Sequence, residues 1–355
     1  MLRPLKQRPN NFPAFEPEYN LWACLKSADR PLCLYGTGNG ADRIIDEMNK
    51  RNIPLYGIFA SSGFVRNRTF RGFPVKSYDY FAEKLDDFIV ITAFGTNLPD
   101  VTDNIKRIAA ERRLYSADVP VFGDVIFDDE FVNSNIEKLC TVYENLADEK
   151  SKQTYRNILL FKYTGVLDYL FAAESDSEER YEILNLSDNE IYLDLGAYNG
   201  DSALDFFAHT KKFQRQTLVE PNPKTFLKLQ NNIKCENTNF VNCCISNYCG
   251  ETEFSIKQGR GSCVGKGVRV PVRTVDSLGT DFTYIKADIE GNEKAMLEGM
   301  TENFRHKPKL VVSAYHRTED LFTLPLKILE KNPEYKIYYR HYPYIPAWDC
   351  EFIAI

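Results

Sequence analysis

The strongest constraint on this chain is a pattern met twice: a short apolar run stops at a glycine-containing loop and restarts as an amphipathic helix. Leu32-Cys33-Leu34-Tyr35 meets Gly36-Thr37-Gly38-Asn39-Gly40, and Ile44, Ile45 and Met48 then share one helical face. Ile191-Tyr192-Leu193 runs into Asp194-Leu195-Gly196-Ala197-Tyr198-Asn199-Gly200, followed by a helix through Leu204, Phe206 and Phe207. Strands that alternate with helices pair in parallel, because each crossover helix must lie on a face of the sheet. The fold class predicted is α/β, a doubly wound, mostly parallel sheet preceded by a smaller Rossmann-like α/β domain and a helical connector.

The remaining elements fit that frame. Ile53 to Ala60 and Phe88 to Ala93 read as further strands of the first domain, the second of them apolar nearly throughout as a buried parallel strand is. From Asn133 to about Glu174 no strand signal occurs. Leu139, Val142, Tyr143 and Leu146, then Ile158, Leu159, Phe161 and Tyr163, fall at helical spacing and predict two connecting helices. Later strands are expected at Thr217–Val219, Phe240–Ile245, Tyr284–Ile289, Leu310–Ala314 and Lys336–Arg340. Asn222 caps a helix whose first residue is Pro223. The division expected is 1–127, 128–180 and 181–355.

Composition excludes several partners. The net charge of -6 argues against a broad nucleic-acid footprint. No apolar stretch approaches the ~20 residues that span a bilayer, and Met1 to Phe15 holds no signal-peptide core. Nine cysteines lie without a paired metal-binding spacing, which suits reduced thiols in a cytoplasmic protein.

In an open parallel sheet, ligands bind beyond the carboxyl ends of the strands where the strand order reverses. The Asp194-to-Gly200 segment stands there. Gly196 and Gly200 allow a tight turn and close approach to a ligand, and Asp194 offers a carboxylate to an ammonium or sulfonium. Glu220 closes the next strand, where it can accept both hydroxyls of a ribose. Glycine loops are common turns, but a loop followed by an acid at the next strand end is a sharper signal. An acid favoured by a helix dipole is the plainer reading of Glu220.

From about Asn133 onward the chain resembles the FkbM-type methyltransferases. The resemblance runs through Tyr181, Asp194 to Ser202, Val219-Glu220-Pro221-Asn222-Pro223, Val275-Asp276-Ser277-Leu278, Ile285-Lys286-Ala287-Asp288-Ile289-Glu290-Gly291-Asn292-Glu293 and Tyr315-His316. It implies a class I fold, S-adenosyl-L-methionine as cofactor, and transfer to a hydroxyl, often on a sugar. Carried over by position, it implies that Asp194, Gly196, Ala197, Tyr198, Asn199, Gly200, Asp201 and Ser202 wrap the methionine part. Glu220, with Pro221 and Asn222, would hold the ribose, and Cys243, Cys244 and Ile245 would border the adenine. Many members have small residues where this chain has the two cysteines.

Lys286, Asp288 and Glu290 alternate at the end of one strand and so share a face. A buried row of charges is costly without partners, and an active site gives it a reason. Asp288 is expected at both the cofactor and the acceptor, and Asp288, Glu290, His316 and Lys286 are the catalytic candidates. A proton leaving a hydroxyl acceptor needs a carboxylate or imidazole. The plainer reading of Glu290 is a cap on a helix starting near Asn292. Two carboxylates and an imidazole also suit a divalent ion; no spacing demands one, and a metal-free site is the expectation. Tyr338, Tyr339, Tyr342, Tyr344 and Trp348 form either an acceptor wall or core. His341 is a weaker candidate, and His209 and His306 read as exposed helix-end residues.

Gly36-x-Gly38-x-x-Ala41 invites a dinucleotide-binding reading, but the acid that should follow at the second strand end is replaced by Phe59-Ala60-Ser61-Ser62. The first domain is then either a holder of a nucleotide or sugar-nucleotide group or a packing and oligomerisation module. The function expected is O-methylation of a sugar or glycosylated metabolite, with a small-molecule or saccharide acceptor, no nucleic acid and no membrane span. The alternative is a nucleotide-sugar- or dinucleotide-binding protein acting through its first domain.

Overall fold

The structure, a computed structural model, describes residues 8–65, 68–210, 212–255, 263–264 and 267–355; Met1 to Gln7 of the N-terminal segment lie outside them. Strands β1 (Leu32–Tyr35), β2 (Gly57–Phe59), β3 (Thr69–Phe70), β4 (Phe73–Lys76), β5 (Ile89–Thr92) and β6 (Leu114–Ser116) form a sheet in the order β3-β4-β2-β1-β5-β6. Every residue of β1 and β5 is buried, as central parallel strands covered on both faces must be. β2 is shorter than the sequence pattern suggests, because Pro54 cannot donate to a ladder.

Two long helices follow, Asp129–Asn145 and Glu149–Thr164, then a short one, Leu167–Phe171. Asp128 and Asp148 cap the long pair by accepting from Phe131 N–H and Ser151 N–H. Gly165, at φ 69, ends the second in the left-handed turn that glycine adopts cheaply.

The larger sheet holds β7 (Ile191–Leu195), β8 (Arg215–Val219) and β9 (Thr238–Val241). The chain then leaves it for a small sheet of β10 (Cys244–Ile245), β11 (Gly250–Ser255), β12 (Cys263–Val264) and β13 (Val268–Arg273). It returns with β14 (Tyr284–Ala287), β15 (Lys309–Ser313), β16 (Ile337–His341) and β17 (Cys350–Ala354). The order β16-β17-β15-β14-β7-β8-β9 is parallel except at β17, which opposes both neighbours. The reversal of order lies between β7 and β14, so the crevice beyond Leu195 and Ala287 is the place where this sheet can receive a ligand.

One hydrophobic cluster joins β1 to the connecting helices and the larger sheet, from Cys33 and Tyr35 through Tyr155 and Phe161 to Leu310 and Phe352. Buried charges bridge the same parts. Lys162 of the second long helix pairs with Asp118, just past β6, both almost fully buried. Arg340 of β16 reaches Asp148 and Glu179 at 2.8 Å each. Thr96, beyond β5, exchanges two backbone hydrogen bonds with Ile345. No helix among the described residues is long and apolar enough to cross a membrane.

Candidate active site

One half of the site is built by the loop after β7. Gly196 has φ 84, and a Cβ there would lie 1.9 Å from the Asp288 carbonyl oxygen. Gly200 has φ 96, and a Cβ would meet Ile233 at 2.7 Å. Both glycines are therefore demanded by packing against protein, where the sequence suggested closeness to a ligand. Tyr198, at φ 46, takes the left-handed conformation without being glycine and stands exposed. Its N–H donates to one oxygen of Glu220 at 3.1 Å, and Asn222 N–H donates to the other at 2.7 Å. Each Glu220 oxygen keeps a second lone pair for a hydroxyl. Burial raises the Glu220 carboxyl to about 7, against the pull of those two amides.

The rest of the loop is ordered by short-range bonds. Asn199 Oδ1 accepts from Asp201 N–H, Asp201 Oδ1 from Ser202 N–H, and the Asn199 carbonyl from the Asn232 amide. Ala197 is buried beneath the loop. The Asn242 amide ties the carbonyls of Glu220 and Pro221 at 2.7 and 3.0 Å. Cys243, Cys244 and Ile245 follow directly and are all buried. Burial pushes both thiols up to about 12, so they are neutral apolar lining.

Asp194 lies under the loop with no exposed surface, in register with Lys286, whose Nζ is 3.8 Å away. Neither carboxylate oxygen completes a hydrogen bond among the described residues. Burial lifts this carboxyl to about 6, with Lys286 opposing the rise. The row read as Lys286, Asp288 and Glu290 is therefore divided. Lys286 serves the buried Asp194, while the two acids beyond the strand gather around a histidine.

Beyond the strand, Asp288 N–H donates to the Leu195 carbonyl as β14 ends. Its carboxylate is about one-third exposed and accepts from Tyr315 O–H at 3.1 and 3.2 Å. His316 Nε2 lies 3.3 Å from Asp288 Oδ1 and 3.7 Å from Glu290 Oε2. Glu290, at φ 57, precedes Gly291, at φ 88, and this double left-handed turn folds the glutamate back toward the imidazole. On the far side of the ring, Nδ1 stands 2.9 Å from Glu293, which is wholly buried. Burial alone would lower the His316 pKa, but Glu293, Asp288 and Glu290 together hold it up at about 10. In the protein alone those carboxylates favour the charged, imidazolium form of His316.

Glu293 escaped sequence reasoning, although it closes the quoted acidic block. The helix Glu293–Glu298 starts behind Asn292, and no side chain caps it from the N-cap position. Glu293 itself accepts from Ile289 N–H at 2.9 Å and Gly291 N–H at 3.4 Å, in place of the cap expected from Glu290. A buried carboxylate that holds both a backbone turn and a histidine leaves only a weak trace in sequence, a glutamate at a helix start.

The first half of the chain supplies a wall. Phe122 N–H bonds the His316 carbonyl at 2.9 Å, and its ring lies 6.0 Å from the imidazole. Arg317 Nε donates to the Gly291 carbonyl, and Thr318 O–H to that of Val125. Arg43 anchors the wall from behind through the carbonyls of Pro120 and Gly123. Of the C-terminal aromatics, Tyr339, Tyr342 and Tyr344 are buried, Tyr338 and Trp348 are half-buried, and Trp348 and Tyr344 pack on Gly95. His341 is fully buried, and His209 stacks on Tyr181 at 3.6 Å and meets Glu178, more constrained than an exposed helix end.

Residues 194–336 match the family described as Methyltransferase FkbM domain. No curated protein sequence matches the chain. The crystal structure of Methyltransferase FkbM from Methylobacillus flagellatus KT shares the fold, with TM-score 0.73 at 24% identity over 96% of this chain and 95% of that one. A precorrin-6y C5,15-methyltransferase from Geobacter metallireducens GS-15 covers 50% of this chain and 84% of its own at 14% identity and TM-score 0.32. An rRNA methylase from Streptococcus thermophilus covers 50% and 92% at 12% identity and the same score. The strand order of the larger sheet, with β17 reversed, is that of the class I methyltransferases. Residues 194–336 are thus similar to the FkbM methyltransferase domain, and the whole chain shares the fold of a methyltransferase structure.

Proposed function

We propose that the chain carries the methyl group of S-adenosylmethionine to a hydroxyl of a saccharide or glycosylated metabolite. The observation that carries this reading is the contact between Gly196 and the Asp288 carbonyl, which puts the donor loop directly against the acidic turn. The residues present fit the cofactor. Glu220 offers two held carboxylate oxygens, each with a spare lone pair, to the ribose hydroxyls. Tyr198, Asn199, Asp201 and Ser202 border the methionine end, with Asp194 and Lys286 fixing the strand end beneath. Cys243, Cys244 and Ile245 supply an apolar edge for the adenine.

When bound, the cofactor supplies an electrophilic methyl on a sulfonium, open to in-line displacement. What the chain adds is mainly position. Asp288 and Glu290 face the acceptor side and receive the hydroxyl proton; Tyr315 fixes the angle of Asp288. The division 1–127, 128–180 and 181–355 belongs to this reading, with the first part walling the acceptor side through Phe122. The eight cysteines whose side chains are described are free, which supports a reducing, cytoplasmic setting. A dinucleotide role for the first sheet is not favoured, since Ser61 beyond β2 bonds the Tyr35 hydroxyl and no acid stands there.

The test is transfer of labelled methyl from S-adenosylmethionine to sugars, sugar nucleotides and amine counterparts of each. Label in the hydroxyl compounds alone is the expected result. Label only in amines would overturn the oxygen assignment.

A further inference from the structure

The acceptor side holds a set of groups whose arrangement the transfer of a methyl group does not by itself require. His316 is 1% exposed, yet neither ring nitrogen completes a hydrogen bond of good geometry among the described residues. Nε2 faces a carboxylate oxygen of Asp288 at 3.3 Å and one of Glu290 at 3.7 Å. Two ligands bound about 2.1–2.3 Å from one ion, at angles between square and tetrahedral, stand roughly 3.0–3.7 Å apart. A direct imidazole–carboxylate hydrogen bond would instead close to about 2.7–2.9 Å.

The other ring nitrogen completes the pattern. Nδ1 lies 2.9 Å from Glu293, a carboxylate with no exposed surface that is itself held by the amides of Ile289 and Gly291. A metal-bound histidine almost always gives its second nitrogen to such an outer carboxylate, which fixes the tautomer and the ring plane. The outer shell extends to Tyr315, whose hydroxyl holds Asp288. The left-handed backbone at Glu290 costs on the order of 1 kcal/mol or more in a residue that is not glycine, and it aims that carboxylate at Nε2. The group whose ligand atoms lie within 4.8 Å of one another is Asp288, Glu293 and His316, and Glu290 adjoins it at 3.7 Å from Nε2. One imidazole can give only one nitrogen to a given ion, and Glu293 sits on the Nδ1 side. Glu290 is then the inner ligand and Glu293 the outer one.

We propose that Asp288, Glu290 and His316 Nε2 bind one divalent cation of the oxygen-preferring class, such as Mn²⁺, with Glu293 as the carboxylate that orients His316. This replaces the metal-free expectation drawn from spacing alone. Three protein ligands leave positions open on the side of the exposed part of Asp288. The inference deepens the acceptor side of the proposed reaction and rests on that reading only for its purpose: a hydroxyl ligated there is held in place and acidified. The ligand set stands on its own geometry.

The full chain, stripped of metal with a chelator and dialysed, is titrated with Mn²⁺ while the six-line resonance of the free ion is followed. One equivalent should disappear per chain. Asp288→Asn and His316→Gln should each weaken binding at least tenfold, and Glu293→Gln about 10–100-fold. Because His316 and Glu293 are buried, Glu290→Gln, at a partly exposed side chain, is the variant least exposed to misfolding, and it too should lose tenfold or more. An undiminished free-ion signal with the wild-type chain overturns the site, as does wild-type affinity in folded Glu290→Gln and Asp288→Asn. Calorimetry with S-adenosylhomocysteine on the same samples separates the two ideas. Cofactor binding without Mn²⁺ uptake sinks the cation site alone, and Mn²⁺ uptake without cofactor binding sinks the methyl-donor assignment alone.

Discussion

At the scale of single residues, Glu220 and Asp288 divide the work. On the proposed reading, Glu220→Ala would remove two charge-assisted hydrogen bonds to the cofactor ribose, each worth about 1.5 kcal/mol or more. Affinity for S-adenosylhomocysteine by calorimetry should fall at least tenfold. The pH dependence has a definite sign. The Glu220 carboxyl titrates at about 7 when folded, and only its ionised form accepts from both hydroxyls, so cofactor affinity should drop as pH falls from 8 to 6. Glu220→Gln should flatten that slope. Stability of the free protein runs the other way. Asp194, at about 6, and Glu220, at about 7, bind protons more tightly folded than unfolded. Stability is therefore lost as pH rises from the ordinary carboxyl range, about 4, through those values. Denaturant midpoints at pH 5 and pH 8 measure it. Asp288→Asn, nearly isosteric, should lower kcat by about 10²–10⁴ while leaving S-adenosylhomocysteine affinity within a few-fold; an unchanged kcat would remove Asp288 from the reaction.

At the scale of elements, the sequence revealed what periodicity encodes and missed what pairing decides. β1, β5, β7 and β14 were legible because central parallel strands are largely apolar, interrupted here only by Thr92, Asp194 and Lys286. Phe240–Ile245 looked like one strand, yet it divides at Asn242 and Cys243 into β9 and β10, which belong to different sheets. The small sheet is hard to read from sequence because β13, Val-Arg-Val-Pro-Val-Arg, alternates around a proline, and β10 and β12 are only two residues each. In the site, Asp194 to Gly200, Glu220 and the Asp288–Glu290 pair could be placed from strand ends. Lys286's partner and Glu293's double duty could not, since both depend on register and on a turn at left-handed φ. The buried pair of Lys162 and Asp118 joins the second connecting helix to the exit of the first sheet. Asp118→Ala strands an ammonium in the interior, and urea unfolding should report a loss of about 3–5 kcal/mol.

At the scale of the whole molecule, the three segments anticipated from sequence share one core. Residues of β1, both long connecting helices and the larger sheet lie in a single hydrophobic cluster, and Thr96 and Ile345 tie the two sheets by backbone bonds. Scanning calorimetry should record one cooperative transition, with calorimetric and van't Hoff enthalpies in agreement. Two resolved transitions would mean that the first sheet folds and unfolds by itself.

Phe122 on the carbonyl of His316 has a consequence for how such a protein can diversify. The segment around it belongs to the first half of the chain, whereas the donor loop and Glu220 lie far along the second. On the proposed reading, substitutions near Phe122 would reshape the opening offered to an incoming molecule without touching the loop assigned to the methyl donor. A lineage could then drift in what it modifies while the means of modification stays fixed, the first half acting as the interchangeable jaw of the tool.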